Sequence, residues 1–188
     1  MRAHLDCWNL THFHKRSERE LHRGSLISLG EGTFVGPGGD EFQRDIVHHP
    51  GAVSVLPLEA DGSVLLVRQY RAAIDRELLE IPAGKRDVAD EPPELTAHRE
   101  LAEEVGRVAA RMDLLGTFFN SPGFCDEYSY TYLARDLTEV ATEAHSAEEA
   151  AMTIERIPLD DAFGMISRGE ITDAKTIIAL LLTKDRLS

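Results

Sequence analysis

Between Arg99 and Gly106 the chain reads Arg-Glu-Leu-Ala-Glu-Glu-Val-Gly, which puts three carboxylates within two turns if the segment is helical. Residues three and four apart share a helix face. Glu100, Glu103 and Glu104 therefore project together, while Ala97, Leu101 and Val105 form an apolar stripe on another side. Like charges at these spacings cost a bare helix roughly 0.2–0.5 kcal/mol per pair. A divalent cation held by hard oxygen ligands would offset that cost; Mg2+ is the expected ion, with Mn2+ the alternative. Such an ion would also let an acidic protein take a small anionic substrate, because the metal supplies the local positive field. Glutamates alone are commonest on solvated faces, so the surrounding sequence has to distinguish this set.

Pro92 and Pro93 suit the first turn of a helix and Gly106 its C-cap, so the carboxylates are predicted on a helix from near Pro93 to Val105. Apolar runs punctuated by glycine and proline surround it and read as strands. These are SLISL, TFV and EFQRDIV in the N-terminal part, LLEIPAG just ahead of the helix, and MDLLGTFFN, EYSYTYLA and MTIERIPL after it. Asp61-Gly62 lies between two β-rich runs and predicts a hairpin. Asp160 is expected to N-cap a helix that ends at Gly169, and DAKTIIALLLTKD makes a last amphipathic helix with Asp173 near its start. Residues 138–151 are acidic and stay open between loop and marginal helix. The adjacent pair His48-His49 is not expected to bind zinc, since neighbours on a strand point to opposite faces and no Cys or third His accompanies them.

The expected organisation is a flexible N-terminus over residues 1–20, a strand-rich element over 21–50 and a catalytic domain over 51–188, of α+β class with helices packed on a mixed sheet. A length of 188 residues suits one domain with a small appended element. A net charge of -13 argues against a protein that grips nucleic acid. Only Cys7 and Cys125 occur, so a disulfide framework is not expected. No apolar run approaches the roughly 18 residues that span a bilayer, and the first residues lack a signal peptide's apolar core. A cytoplasmic protein without membrane or nucleic-acid partners is expected.

Gly84, six residues, Glu91, seven residues and then Arg99-Glu100-Leu101-Ala102-Glu103-Glu104-Val105-Gly106 resemble the Nudix box, whose usual pattern is Gly, five residues, Glu, seven residues, Arg-Glu-aliphatic-any-Glu-Glu-any-Gly-aliphatic. The first spacer is one residue longer here, which leaves open whether Glu91 or Asp90 is the box's first acid, and Arg107 replaces the closing aliphatic residue. VRQYR, LLEIPAG, SPGF and RGEITDAKTIIALL extend the resemblance to the ADP-ribose pyrophosphatase branch of the Nudix hydrolases, in which a proline stands fifteen residues beyond the box; here that residue is Pro122. The resemblance implies a Nudix α/β/α sandwich and a homodimer that exchanges the N-terminal strand-rich element.

Cleaving a phosphoric anhydride needs an activated water, neutralised phosphoryl oxygens and a stabilised leaving phosphate, and Mg2+ serves all three needs. Glu100 and Glu104, one turn apart, are the best bridging pair, with Glu103 completing the cluster. By the resemblance, the Ala83 carbonyl is a further metal ligand and Arg99 pairs with Glu91. A catalytic base is expected from the acidic loop holding Glu143, Glu148 and Glu149, with Glu149 first and Glu148 second. Substrate contacts are expected from Arg71, Arg44, Glu80 and Pro122, since arginine suits a diphosphate through its bidentate geometry. Phe34 or Phe42 would offer an adenine platform. The implied reaction is hydrolysis of ADP-ribose to AMP and ribose 5-phosphate. Alternatives are another nucleoside-diphosphate sugar such as GDP-mannose, or a non-catalytic ADP-ribose sensor, which the intact glutamate set and the lack of a basic DNA-binding segment disfavour.

Overall fold

Strand β5 (Ser63–Arg71) opens with five buried residues in succession, a pattern that requires cover on both faces of a sheet. Alternate side chains indeed enter two separate cores: Val64 and Leu66 one, Leu65 and Val67 the other. In a computed structural model, residues 12–88, 90–141 and 151–187 are described. They fall into two compact units, the first comprising residues up to Pro50 together with Phe119–Glu127, the second Gly51–Phe118 and Tyr128–Ser188.

The second unit carries two sheets. One has the order β10-β5-β6, with β6 at Arg76–Glu80 and β10 at Thr153–Pro158; the other runs β7-β4-β9-β8, with β4 at Ala52–Pro57, β7 at Ala83–Lys85, β8 at Arg107–Phe119 and β9 at Tyr128–Glu139. Because β4 pairs antiparallel with β7 and parallel with β9, the arrangement is mixed. Helix α1 (Pro93–Val105) covers one core through Ala97, Leu101 and Val105, which pack with Val53, Val55 and Leu65. Helices α2 (Leu159–Arg168) and α3 (Ala174–Leu187) cover the other through Ala162, Ala179 and Leu180, against Leu56, Val64 and Leu133. The class is α+β, with helices on both faces as expected.

Three local expectations need correction. Asp61-Gly62 does make a turn, with Gly62 at φ 84° and its N–H on Glu59 O at 3.0 Å. The flanking strands nevertheless join different sheets and are linked in ladder pairing by an isolated Leu58–Val64 bridge, because each already has a neighbour on both sides. The turn chemistry specifies a reversal of direction, not a pairing. Helix α2 starts after Pro158, so Asp160 and Asp161 sit in its first turn instead of capping it. Finally, β1 (His14–Arg23) is a strand over the last seven residues of the stretch 1–20 expected to be a flexible terminus, of which residues 1–11 lie outside the described residues.

In the first unit, β1 pairs antiparallel with β2 (Ser28–Val35) and β2 with β3 (Glu41–His48). Every residue of β1 is exposed, so its order comes from the backbone ladder and from cross-strand charge pairs such as Arg16–Glu41 and Arg19–Glu31, which apolar patterning does not reveal. Phe119–Glu127 is bonded to β3: Val47 N donates to Phe124 O at 2.7 Å and Asp126 N to Val47 O at 3.1 Å.

Candidate active site

Helix α1 ends where Gly106 adopts φ 62° and returns its N–H to Ala102 O, so its last two turns carry Glu100, Glu103 and Glu104. Glu104 reaches back to the first residue of β7 and accepts the Ala83 N–H at 3.0 Å. The buried Glu100 carboxylate lies over Gly84, where a Cβ would come within 2.0 Å of its carboxyl carbon. Only glycine lets the strand and the helix approach this closely. Burial pushes Glu104 up to about 8 against the pull of the Ala83 bond. It also raises Glu100, opposed by Arg99 and reinforced by the charge of Glu103.

Arg99 serves several of these acids together. Its Nη1 contacts Glu100 Oε1 at 2.8 Å and Glu103 Oε2 at 3.2 Å, and its Nη2 lies 3.7 Å from Glu91 Oε2. The question left open by the longer spacer has a geometric answer. Glu91 accepts the Thr96 hydroxyl at 2.6 Å and faces Arg99, whereas Asp90 is exposed and takes up the extra residue at φ 60°. Arg86 supports the same loop through Glu91 O at 3.2 Å and lies over the Tyr130 ring.

Arg71 and Glu80 meet each other. Arg71 Nε and Nη2 bind the two Glu80 oxygens at 2.8 and 2.6 Å, and Lys175 Nζ adds a further bond to Oε2. Burial would raise Glu80, which is 1% exposed, but Arg71 and Lys175 hold it below its ordinary value. The oxygens of Glu80, expected among the substrate contacts, are bonded to these two cations. The charges of Arg71 and Lys175 also reach Glu104.

The donor set is suited to a hard divalent ion. Ala83, Glu100, Glu103 and Glu104 offer only oxygen, and burial raises the pKa of both Glu100 and Glu104. Among the described residues no three His, Cys, Asp or Glu side chains are already gathered as a metal-binding group. Glu100 and Glu103 are drawn to Arg99.

In the first unit, Arg44 and Pro122 line one cavity of about 290 Å³ together with Phe34 and Phe124. Pro122 sits in a turn closed by Phe124 N and Cys125 N on Ser121 O. Arg44 lies over Phe42, which stacks on Phe34 with ring centroids 5.6 Å apart; of the two adenine candidates, Phe34 faces the cavity. His48 bridges Asp126, at 2.5 Å from Nδ1, and Glu18. Asp126 and then Glu18 raise its pKa, which suits a doubly donating imidazolium and not a zinc ligand.

The base candidates Glu143, Glu148 and Glu149 lie outside the described residues. Lys175, Thr176 and Arg86 were missed by sequence reasoning. Their partners lie 95 residues away for Lys175 and Thr176, and the Asp173 cap was the only local signal nearby.

The NUDIX domain family matches residues 48–180. An ADP-ribose pyrophosphatase of Mycobacterium tuberculosis (strain ATCC 25618 / H37Rv) is 40% identical over 169 residues, covering 90% of this chain and 82% of that protein. An ADP-ribose pyrophosphatase of Bacillus subtilis (strain 168) is 35% identical over 164 residues, covering 87% and 88%. A solved structure described as an ADP compounds hydrolase matches with a TM-score of 0.81 at 21% identity, over 93% of this chain and 94% of that one, a likeness of fold. With the glutamates of α1 folded against Ala83 and Gly84 of β7 and these relatives aligned along most of its length, the chain belongs to the Nudix family and is a Nudix hydrolase.

Proposed function

We propose that this enzyme hydrolyses the diphosphate of ADP-ribose to AMP and ribose 5-phosphate with Mg2+, Mn2+ being the alternative ion. The observation that carries the reading is the buried Glu100 and the half-buried Glu104 packed on Ala83 and Gly84 at the start of β7, in a chain 40% identical to an ADP-ribose pyrophosphatase. Ala83 O, Glu100, Glu103 and Glu104 would hold the ion. When bound there, a divalent cation supplies positive charge to the phosphate oxygens and lowers the pKa of a bound water.

The protein's own groups do the rest. Arg71, with its Nε and Nη2 edge held by Glu80, binds the diphosphate through Nη1 and neutralises the charge that grows on the leaving phosphate. Glu149, or Glu148 in its place, takes the proton from water as its oxygen bonds to phosphorus and the bridging P–O bond breaks. In the first unit, Arg44 and Pro122 are the further proposed substrate contacts, with Phe34 or Phe42 as the adenine platform. The test is AMP release from ADP-ribose with Mg2+, run beside GDP-mannose. Preferred turnover of ADP-ribose, lost in Glu104→Gln, is expected; no turnover of ADP-ribose, or undiminished turnover in that variant, overturns the reading.

A further inference from the structure

Ile81 and Pro82 link β6 to β7, and α3 begins against this stretch. The wholly buried Thr176 hydroxyl accepts the Ile81 N–H at 2.9 Å and donates to Asp173 Oδ2 at 2.6 Å. The same Asp173 oxygen accepts the Thr176 N–H at 2.9 Å. A threonine hydroxyl has one proton and two lone pairs, so donating to Asp173 leaves a lone pair aimed at Ile81. Lys175, next in the chain, ties Glu80 to α3 and also contacts Asp173 Oδ1 at 2.9 Å. Pro82 O accepts the Val55 N–H at 2.9 Å, and the Ala83 N–H meets Glu104 at 3.0 Å. The stretch is thus fastened at four consecutive residues, two of them by the start of α3.

We propose that Thr176, assisted by Lys175, is a positioning residue: it sets the Ala83 peptide against Glu104 and thereby governs affinity for the divalent cation. This rests on the reading that Ala83, Glu100, Glu103 and Glu104 hold that cation. Removing the hydroxyl strands the buried Ile81 N–H, which is 1% exposed at the residue level and has no water to turn to. The stretch must then shift to recover a partner, carrying Ala83 with it.

The test titrates Mn2+ alone into chelator-treated full-length protein, following free Mn2+ by electron paramagnetic resonance, with metal-free Tm and the Mg2+ requirement of activity measured in parallel. Groups that orient metal ligands are worth ten- to a hundredfold in affinity. Thr176→Val is therefore expected to bind Mn2+ about tenfold more weakly and to need correspondingly more Mg2+, with Thr176→Ser restoring both. Wild-type Mn2+ affinity in Thr176→Val, whatever its Tm, overturns the proposal, because a purely structural threonine would lower Tm alone. If Thr176→Val does not fold, Lys175→Gln is judged by the same criterion. A wild-type protein that binds no Mn2+ overturns the metal reading itself, which the wild-type titration shows separately.

Discussion

Glu104 shows how burial sets the charge state of a single side chain. Burial raises it from 4.5 to about 8, so the folded apo protein binds a proton that the unfolded chain has already released. Stability is then lost as pH rises from about 4.5 to about 8 and is level beyond. At about 1.4 kcal/mol per pKa unit the whole effect is of order a few kcal/mol. Glu104→Gln, always neutral and still able to accept the Ala83 N–H, is expected to melt several degrees above the wild-type apo protein at pH 8.5. That gap should close near pH 5. Calorimetry with chelator present checks this; a variant less stable than wild type at pH 8.5 would make the carboxylate structural. Activity should fall by more than about a hundredfold, since even groups that only orient metal ligands are worth ten- to a hundredfold.

Among the elements, the junction between α1 and β8 explains the departure at Arg107. Its Nε binds Glu59 Oε1 at 2.9 Å and its Nη1 the Gly106 carbonyl at 3.0 Å, with both acidic and basic side chains largely buried. The usual aliphatic residue would leave Glu59 without this partner. Arg107→Leu should therefore destabilise the protein by about 1–3 kcal/mol in urea unfolding, and Glu59→Leu in the same chain should recover most of it. Additive losses in the double variant would mean that the two residues act independently. The neighbouring loop teaches a related lesson. An inserted residue is absorbed by one exposed aspartate in the left-handed region, Asp90 at φ 60°, and the acid that faces Arg99 keeps its place.

For the whole molecule, the first unit presents a strand, β1, exposed along its full length, with Phe13, Leu21, Leu26 and Ile27 also exposed. Such apolar surface marks an interaction site, and we propose that a second copy of the chain covers it. Light scattering should give a mass near twice 20.9 kDa, and Leu21→Asp with Ile27→Asp should shift it to a monomer. A fully active monomer in the wild type would set this aside. Among the described residues no helix is long and apolar enough to cross a membrane.

By itself the sequence determined the helix that carries the glutamates, because proline at its start, glycine at its end and a 3.6-residue apolar period are local signals. It determined most strands for the same reason, and the box spacing named the acids. The tertiary structure decided what depends on distant partners. Asp61-Gly62 turned the chain without pairing its flanks, since other strands had claimed both. Glu91 prevailed over Asp90 because Thr96 and Arg99 face it. Glu80 became the anchor of Arg71 and Lys175, and Thr176 came to hold the Ile81 amide from 95 residues away. Burial and long-range hydrogen bonds set these roles, and neither is encoded in the spacing of residues along the chain.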